Sequence, residues 1–249
     1  LNYDDSQYSR RVIVLPESTP VVKSLIIINA VFYLLLIFSK ETAYFLISQL
    51  SLIPYSVTHE FQLWRLVTYM FLHGGMMHIL FNMLFLWWFG SELEKLWGSA
   101  IFLRYYFITG IGGGLFHLLQ PNSEIPVIGA SGAIMGLLLA YGLKWPNRTV
   151  LLWFIIPIKM KYLVIASVVI EFIGAIGTSG GSGIAHLAHL GGIVVGFLYL
   201  NLNRFRWWLK DVRYRKKQSK RKTRFKVLDD EKDILDKYFE EDDNSHTLH

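Results

Sequence analysis

Residues 127–136, VIGASGAIMG, decide how the chain is read. A serine stands among small residues and leads straight into an apolar run, GAIMGLLLAYGLKW, at 132–145. Two readings of Ser131 compete. Small residues line membrane helix contacts because they let backbones approach closely. The hydroxyl is therefore either a packing group or a nucleophile at a helix start inside a membrane. From Ser131 to Trp145 is 14 steps, or about 21 Å at the helical rise, against a hydrocarbon core of about 30 Å. If Trp145 and the following Pro146-Asn147-Arg148 mark one interface, Ser131 lies well below the other. Water must then reach it through protein.

The surrounding chain has the composition of a polytopic membrane protein. Of its 249 residues 53% are hydrophobic, and the mean hydropathy is +0.35, too apolar for an ordinary soluble domain. Six segments, roughly 21–39, 76–90, 99–119, 131–145, 160–177 and 184–202, read as spans, although several fall short of the ~20 residues of a perpendicular crossing. This predicts an all-α, six-transmembrane-helix domain over 21–202, between an N-terminal segment, 1–20, and a tail, 203–249. The first twenty residues show no signal-peptide pattern. With no cysteine, a disulfide framework, a thiol nucleophile and a thiolate metal site are excluded.

Lys and Arg set the expected orientation. Arg10, Arg11 and Lys23 flank the first span, and Lys95 and Arg104 lie near the second connection. Lys144, Arg148, Lys159 and Lys161 lie in the fourth, and the tail is densely basic. The third connection, PNSEIPVIG, and the fifth, GTSGGSG, carry neither Lys nor Arg. The positive-inside rule places both termini in the cytoplasm and the start of the fourth span toward the outside. The expected location is the plasma (inner) membrane of a prokaryote. The long first connection, about 40–75, mixes apolar, aromatic and charged residues and is expected in the interface.

Polar groups in hydrocarbon are costly, so each one asks for a reason. Besides Ser131, His78, Asn82 and His189 stand out. His78 and Asn82, in HILFN, are four apart and share a helical face. Their bland reading is an interfacial histidine and an asparagine that bonds a neighbouring helix. His73 falls in a Gly-Gly turn and reads as a loop residue. His186 and His189 are three apart, but Leu187 and Ala188 stand where an H-E-x-x-H zinc helix would need its Glu. Neither a metal nor another cofactor is expected. What remains for His189 is a general base among small residues. Ala188, Gly192 and Gly196 form one stripe, and Gly132 and Gly136 another. Two such stripes allow close packing of the two helices and bring a serine and a histidine within reach. The nucleophile elbow of soluble serine hydrolases, G-x-S-x-G after a strand, does not fit, because Gly132 follows Ser131 directly.

Taken in order, these elements match a family. Trp64-Arg65, HILFN at 78–82, ELEKLWGS at 92–99, GASG at 129–132 and AHLGGIVVG at 188–196 occur with its order and spacing. Over about 20–202 the chain resembles the rhomboid intramembrane serine proteases. The resemblance implies that Ser131 is the nucleophile and His189 the base, and that His78, Asn82 and the Ser131 N–H stabilise the oxyanion. It implies structural roles for Trp64, Arg65 and Glu94, and gives His186 no catalytic role. It also implies a dyad without a third carboxylate. Glu171 lies in the fifth span, but no motif ties it to His189. One departure is Met135, where many members carry an aromatic residue packed on the catalytic histidine.

The resemblance further implies transmembrane protein substrates. Their helices must unwind near the outer interface, because a continuous helix hides its carbonyls in hydrogen bonds. Access would be lateral, past the fifth span, with GTSGGSG as either a cap or a plain linker. In the tail, NRFRWWLK and RYRKKQSKRKTR fit anionic lipid headgroups rather than nucleic acid. The acidic stretch VLDDEKDILDKYFEE either pairs with that block or stands apart. The rival function is a rhomboid-like adaptor that binds transmembrane clients with weak or no catalysis. Retention of both Ser131 and His189 speaks against it. A transporter would lean on charged residues inside the spans, and these are few.

Overall fold

Helix α1, Pro20–Phe38, is the first element and has proline at a first-turn position, where its fixed φ suits a helix start. The computed structural model describes residues 16–152, 155–177 and 186–202. Most of the N-terminal segment, the GTSGGSG loop after Gly177 and the tail from 203 lie outside the described residues, as do the readings made of them. By contacts the chain divides into Leu1–Leu200 and Asn201–His249. The site lies in the first unit.

Helix α1 is apolar all round and buries only Val22, Leu25 and Asn29, the pattern of a helix that faces lipid. The first connection is largely helical. It holds α2, Lys40–Leu50, α3, Pro54–His59, and α4, Arg65–Thr68, which tightens into a 3₁₀ turn at Tyr69–Phe71. Ser39 caps α2 by accepting from the Thr42 N–H at 3.1 Å, with Glu41 in the first turn. Next come α5, Met76–Phe85, and α6, Ser91–Trp97, joined by a π turn at Leu86–Gly90. The segment read as 76–90 is therefore helical to Trp97, and it meets Arg65–Phe71 at a bend of 99°.

Three further helices follow: α7, Ser99–His117, α8, Ser131–Lys144, and α9, Met160–Gly177. The last described helix is α10, His186–Leu202. Among the described residues two helices, α1 and α9, are long and apolar enough to cross a membrane alone, or three spans result if the bent pair counts as one. Helices α8 and α10 are shorter apolar helices. Helix α7 runs through the interior, with Phe102, Tyr105, Tyr106, Thr109 and a run of glycines buried. It packs closely on α8, and its glycines also meet the helix at 186–202.

One element departs from the all-α expectation. Strands β1, Thr149–Leu152, and β2, Ile156–Lys159, pair antiparallel, with Thr149 opposite Lys159 and Val150 opposite Ile158. A short apolar run rich in Val and Ile reads equally as strand or as the flank of a span, so periodicity alone does not expose the hairpin. Pro157 is tolerated because a two-stranded ribbon has only edge strands.

Candidate active site

The serine is positioned from its N-terminal side. The segment before it is stitched to the first connection: Leu52 and Val127 exchange backbone hydrogen bonds at 2.9 and 2.8 Å, and the Tyr55 N–H donates to the Ser123 carbonyl at 3.0 Å. The Gly129 N–H then donates to the Tyr69 carbonyl at 2.9 Å. Gly129 has φ +126°, which L side chains rarely adopt, and a Cβ there would come within 2.7 Å of His78 Nε2 and 3.7 Å of Ser131 Oγ. Glycine is required on both counts. The same measurement places His78 Nε2 and the serine hydroxyl beside the same point on Gly129. Ser131 opens α8, where first-turn N–H groups have no carbonyl one turn back.

The histidine is positioned by close helix contact. A Cβ on Gly192 would overlap the Gly132 carbonyl oxygen, so α8 and α10 meet backbone to backbone. Gly136 and Gly196 face elsewhere than the sequence stripes imply. Both turn toward α7, Gly136 against the Thr109 side chain and Gly196 against the Tyr105 hydroxyl. That hydroxyl donates to the Gly136 carbonyl at 2.8 Å. In this three-helix junction His189 Nε2 lies 2.6 Å from Ser131 Oγ, within hydrogen-bond distance. Met135, four residues past the serine, is half-buried and packs on the core.

His78 and Asn82 come from α5. The Gly74 N–H donates to His78 Nδ1 at 3.4 Å, which in a neutral ring leaves the proton on Nε2. Asn82 is buried and its Nδ2 donates to the His78 carbonyl at 2.8 Å, within its own helix rather than across to a neighbour. The amide has a second hydrogen to give. His73, read from sequence as a loop residue, does lie between elements but is buried. Its ring meets His78 edge-on at 5.0 Å, and its Nε2 lies 3.5 Å from the Ala130 N–H that precedes the serine. Only its proximity to His78 in sequence hinted at this.

Glu171 is the residue that sequence reasoning left without a partner. Its carboxylate contacts two imidazoles, with Oε2 2.7 Å from His186 Nδ1 and Oε1 3.0 Å from His189 Nδ1. The signal was present in the cost of a buried charge in an apolar helix, which demands a partner somewhere.

The remaining sequence candidates sit away from the serine and close polar gaps in the scaffold. Arg65 is buried and donates from Nη1 to the Ser51 carbonyl at 2.7 Å and from Nη2 to the Ser48 carbonyl at 2.6 Å. Trp64 Nε1 reaches the Gln49 carbonyl at 3.0 Å, and the Thr68 hydroxyl reaches that of Leu50 at 2.7 Å. Together they satisfy the carbonyls at the end of α2 that have no partner within the helix. Glu94, on α6, accepts from the Val21 and Val22 N–H groups at 3.1 and 3.0 Å, from the Ser99 hydroxyl at 2.6 Å and from the Thr19 hydroxyl. It caps the start of α1 from another helix, where a negative charge is favoured.

Fold and site together define a helical membrane protein with a serine–histidine pair inside its bundle. The Rhomboid domain model matches residues 60–204, and the chain belongs to the rhomboid family. The chain is 44% identical over 81 residues to RHOMBOID-like protein 2 of Arabidopsis thaliana, covering 32% of this chain and 25% of that one. It is 44% identical over 75 residues to Rhomboid protease GluP of Bacillus subtilis, covering 30% and 14%. With Rhomboid protease GlpG of Yersinia pestis it shares 28% over 135 residues, 53% of this chain and 47% of that protein. The chain thus matches less than half the length of each of these relatives.

Proposed function

We propose that the chain is an intramembrane serine endopeptidase that cleaves transmembrane proteins near the outer membrane interface. The observation that carries this reading is the 2.6 Å approach of His189 Nε2 to Ser131 Oγ at the junction of α8 and α10. The named rhomboid proteases among its relatives support it.

In this mechanism His189 takes the Ser131 proton on Nε2 as Oγ attacks the substrate carbonyl. The developing oxyanion is met by His78 Nε2–H, the free amide hydrogen of Asn82 and the Ser131 N–H. Such donors matter most where water is excluded, and losing one costs a soluble protease about 2.7–4 kcal/mol of transition-state stabilisation. His189 then protonates the leaving amine, the peptide C–N bond breaks, and water hydrolyses the acyl-enzyme.

The proposed setting is a six-span domain over 21–202 in the plasma membrane of a prokaryote. Both termini are cytoplasmic, the first connection lies in the interface, and the basic tail at 203–226 contacts anionic lipid. Substrates approach past α9. The test is cleavage of a generic transmembrane substrate in liposomes by the wild type and by Ser131→Ala. Cleavage by the wild type alone is expected. Binding of the substrate without cleavage by the wild type would favour a client-binding adaptor instead.

A further inference from the structure

Resting on the Ser131–His189 reading, we propose that Glu171 is a positioning residue for His189, so that in this chain a carboxylate supports the serine–histidine dyad.

The carboxylate sits in the apolar sequence SVVIEFIG of α9 and is 6% exposed. A charge in that position is costly unless it is paired. Both oxygens are used, Oε2 toward His186 Nδ1 at 2.7 Å and Oε1 toward His189 Nδ1 at 3.0 Å. The second contact lies off the N–H axis, since His189 Nδ1 makes no directed hydrogen bond. It acts as a charge contact. The opposite ring nitrogen of His189 is the one at Ser131 Oγ. The order in space is therefore hydroxyl, imidazole, carboxylate.

His186 has a place in this arrangement. One turn after Glu171, a Cβ on Gly174 would come within 2.6 Å of His186 Nε2. Glycine there admits the His186 ring against α9, where it holds Oε2 of Glu171. His186 thus fixes the carboxylate and the carboxylate faces the base.

The chemistry follows from the proton positions. His189 accepts a proton on Nε2 only if its resting proton is on Nδ1. A carboxylate beside Nδ1 favours that tautomer and stabilises the imidazolium formed when Ser131 gives up its proton. The serine proton moves to Nε2, Nδ1 keeps its own, and Glu171 stays ionised.

The test is kcat and KM in liposomes for the wild type, Glu171→Gln, Glu171→Met and Ser131→Ala, with melting temperatures on the same samples. Loss of the carboxylate removes support for a protonated ring that exists only once Ser131 has given up its proton. The value of kcat should therefore fall by about tenfold or more with KM nearly unchanged. A purely structural carboxylate leaves kcat per folded molecule in place. A folded Glu171→Gln or Glu171→Met protein with wild-type kcat overturns the proposal. So does loss of folding in both, which makes Glu171 a tie between α9 and α10 only. If Ser131→Ala cleaves as well as the wild type, the active-site reading itself falls. If Ser131→Ala is dead and the Glu171 variants match the wild type, only the role of Glu171 falls.

Discussion

The carbonyl oxygen of Gly132 occupies the space that a side chain on Gly192 would need. One of these glycines adjoins Ser131 and the other lies three residues from His189. The distance between hydroxyl and imidazole is therefore set by backbone contact between α8 and α10. Gly192→Val should push the helices apart and lower the initial cleavage rate by about 10²-fold, the cost of misplacing reacting groups by roughly 1 Å. Cleavage at the wild-type rate by a folded Gly192→Val protein would show that this contact does not set the site.

Asn82 separates two roles in one pair of measurements. Its amide bonds the His78 carbonyl within α5 rather than a neighbouring helix. Asn82→Ala should leave the melting temperature almost unchanged and lower kcat by about tenfold or more, each factor of ten being ~1.4 kcal/mol of transition-state stabilisation. A large drop in melting temperature with the rate per folded molecule intact would assign Asn82 to packing.

Arg65 should behave in the opposite way. It holds the Ser48 and Ser51 carbonyls at the end of α2 and touches nothing of the serine–histidine pair. Arg65→Ala should lower stability by about 1.5–3 kcal/mol, the worth of hydrogen bonds to a charged group. The rate per folded molecule should hold. Arg65→Lys should recover only part of the loss, because an ammonium cannot reproduce the guanidinium fork. Thermal unfolding in detergent reads both.

Glu94 tests the same distinction at α1. Its two oxygens accept from two backbone N–H groups and two hydroxyls. Glu94→Gln replaces one acceptor oxygen by a donor that faces other donors, and it removes the charge at a helix N-terminus. Destabilisation by about 1–3 kcal/mol is expected, with cleavage kinetics unchanged. An unaltered melting temperature would mean that this cap contributes nothing to the folded state.

How far the sequence reaches is visible in the same residues. Apolar length locates the long helices, because hydrophobic runs of that kind have few alternatives. The cost of burying polar groups singles out Ser131, His78, Asn82 and His189 without any knowledge of their distances. Glu171 escaped assignment because its partners, His186 and His189, lie 15 and 18 residues away on another helix, beyond any local spacing rule. The facing of Gly136 and Gly196 toward α7 was equally hidden. A small-residue stripe says that something packs closely, not which helix does. The hairpin at Thr149–Lys159 was lost in an apolar run whose period is ambiguous.

The most direct measurement of the central claim is the site of covalent labelling by a fluorophosphonate, mapped by mass spectrometry on the protein in liposomes. A nucleophile activated by His189 should carry the adduct on Ser131 alone, with labelling lost in His189→Ala while that protein still folds and purifies. His186→Ala, which removes the contact on Oε2 of Glu171 but not the base, should keep substantial labelling. An adduct on any other residue, or labelling of Ser131 at the wild-type rate in His189→Ala, would contradict the account.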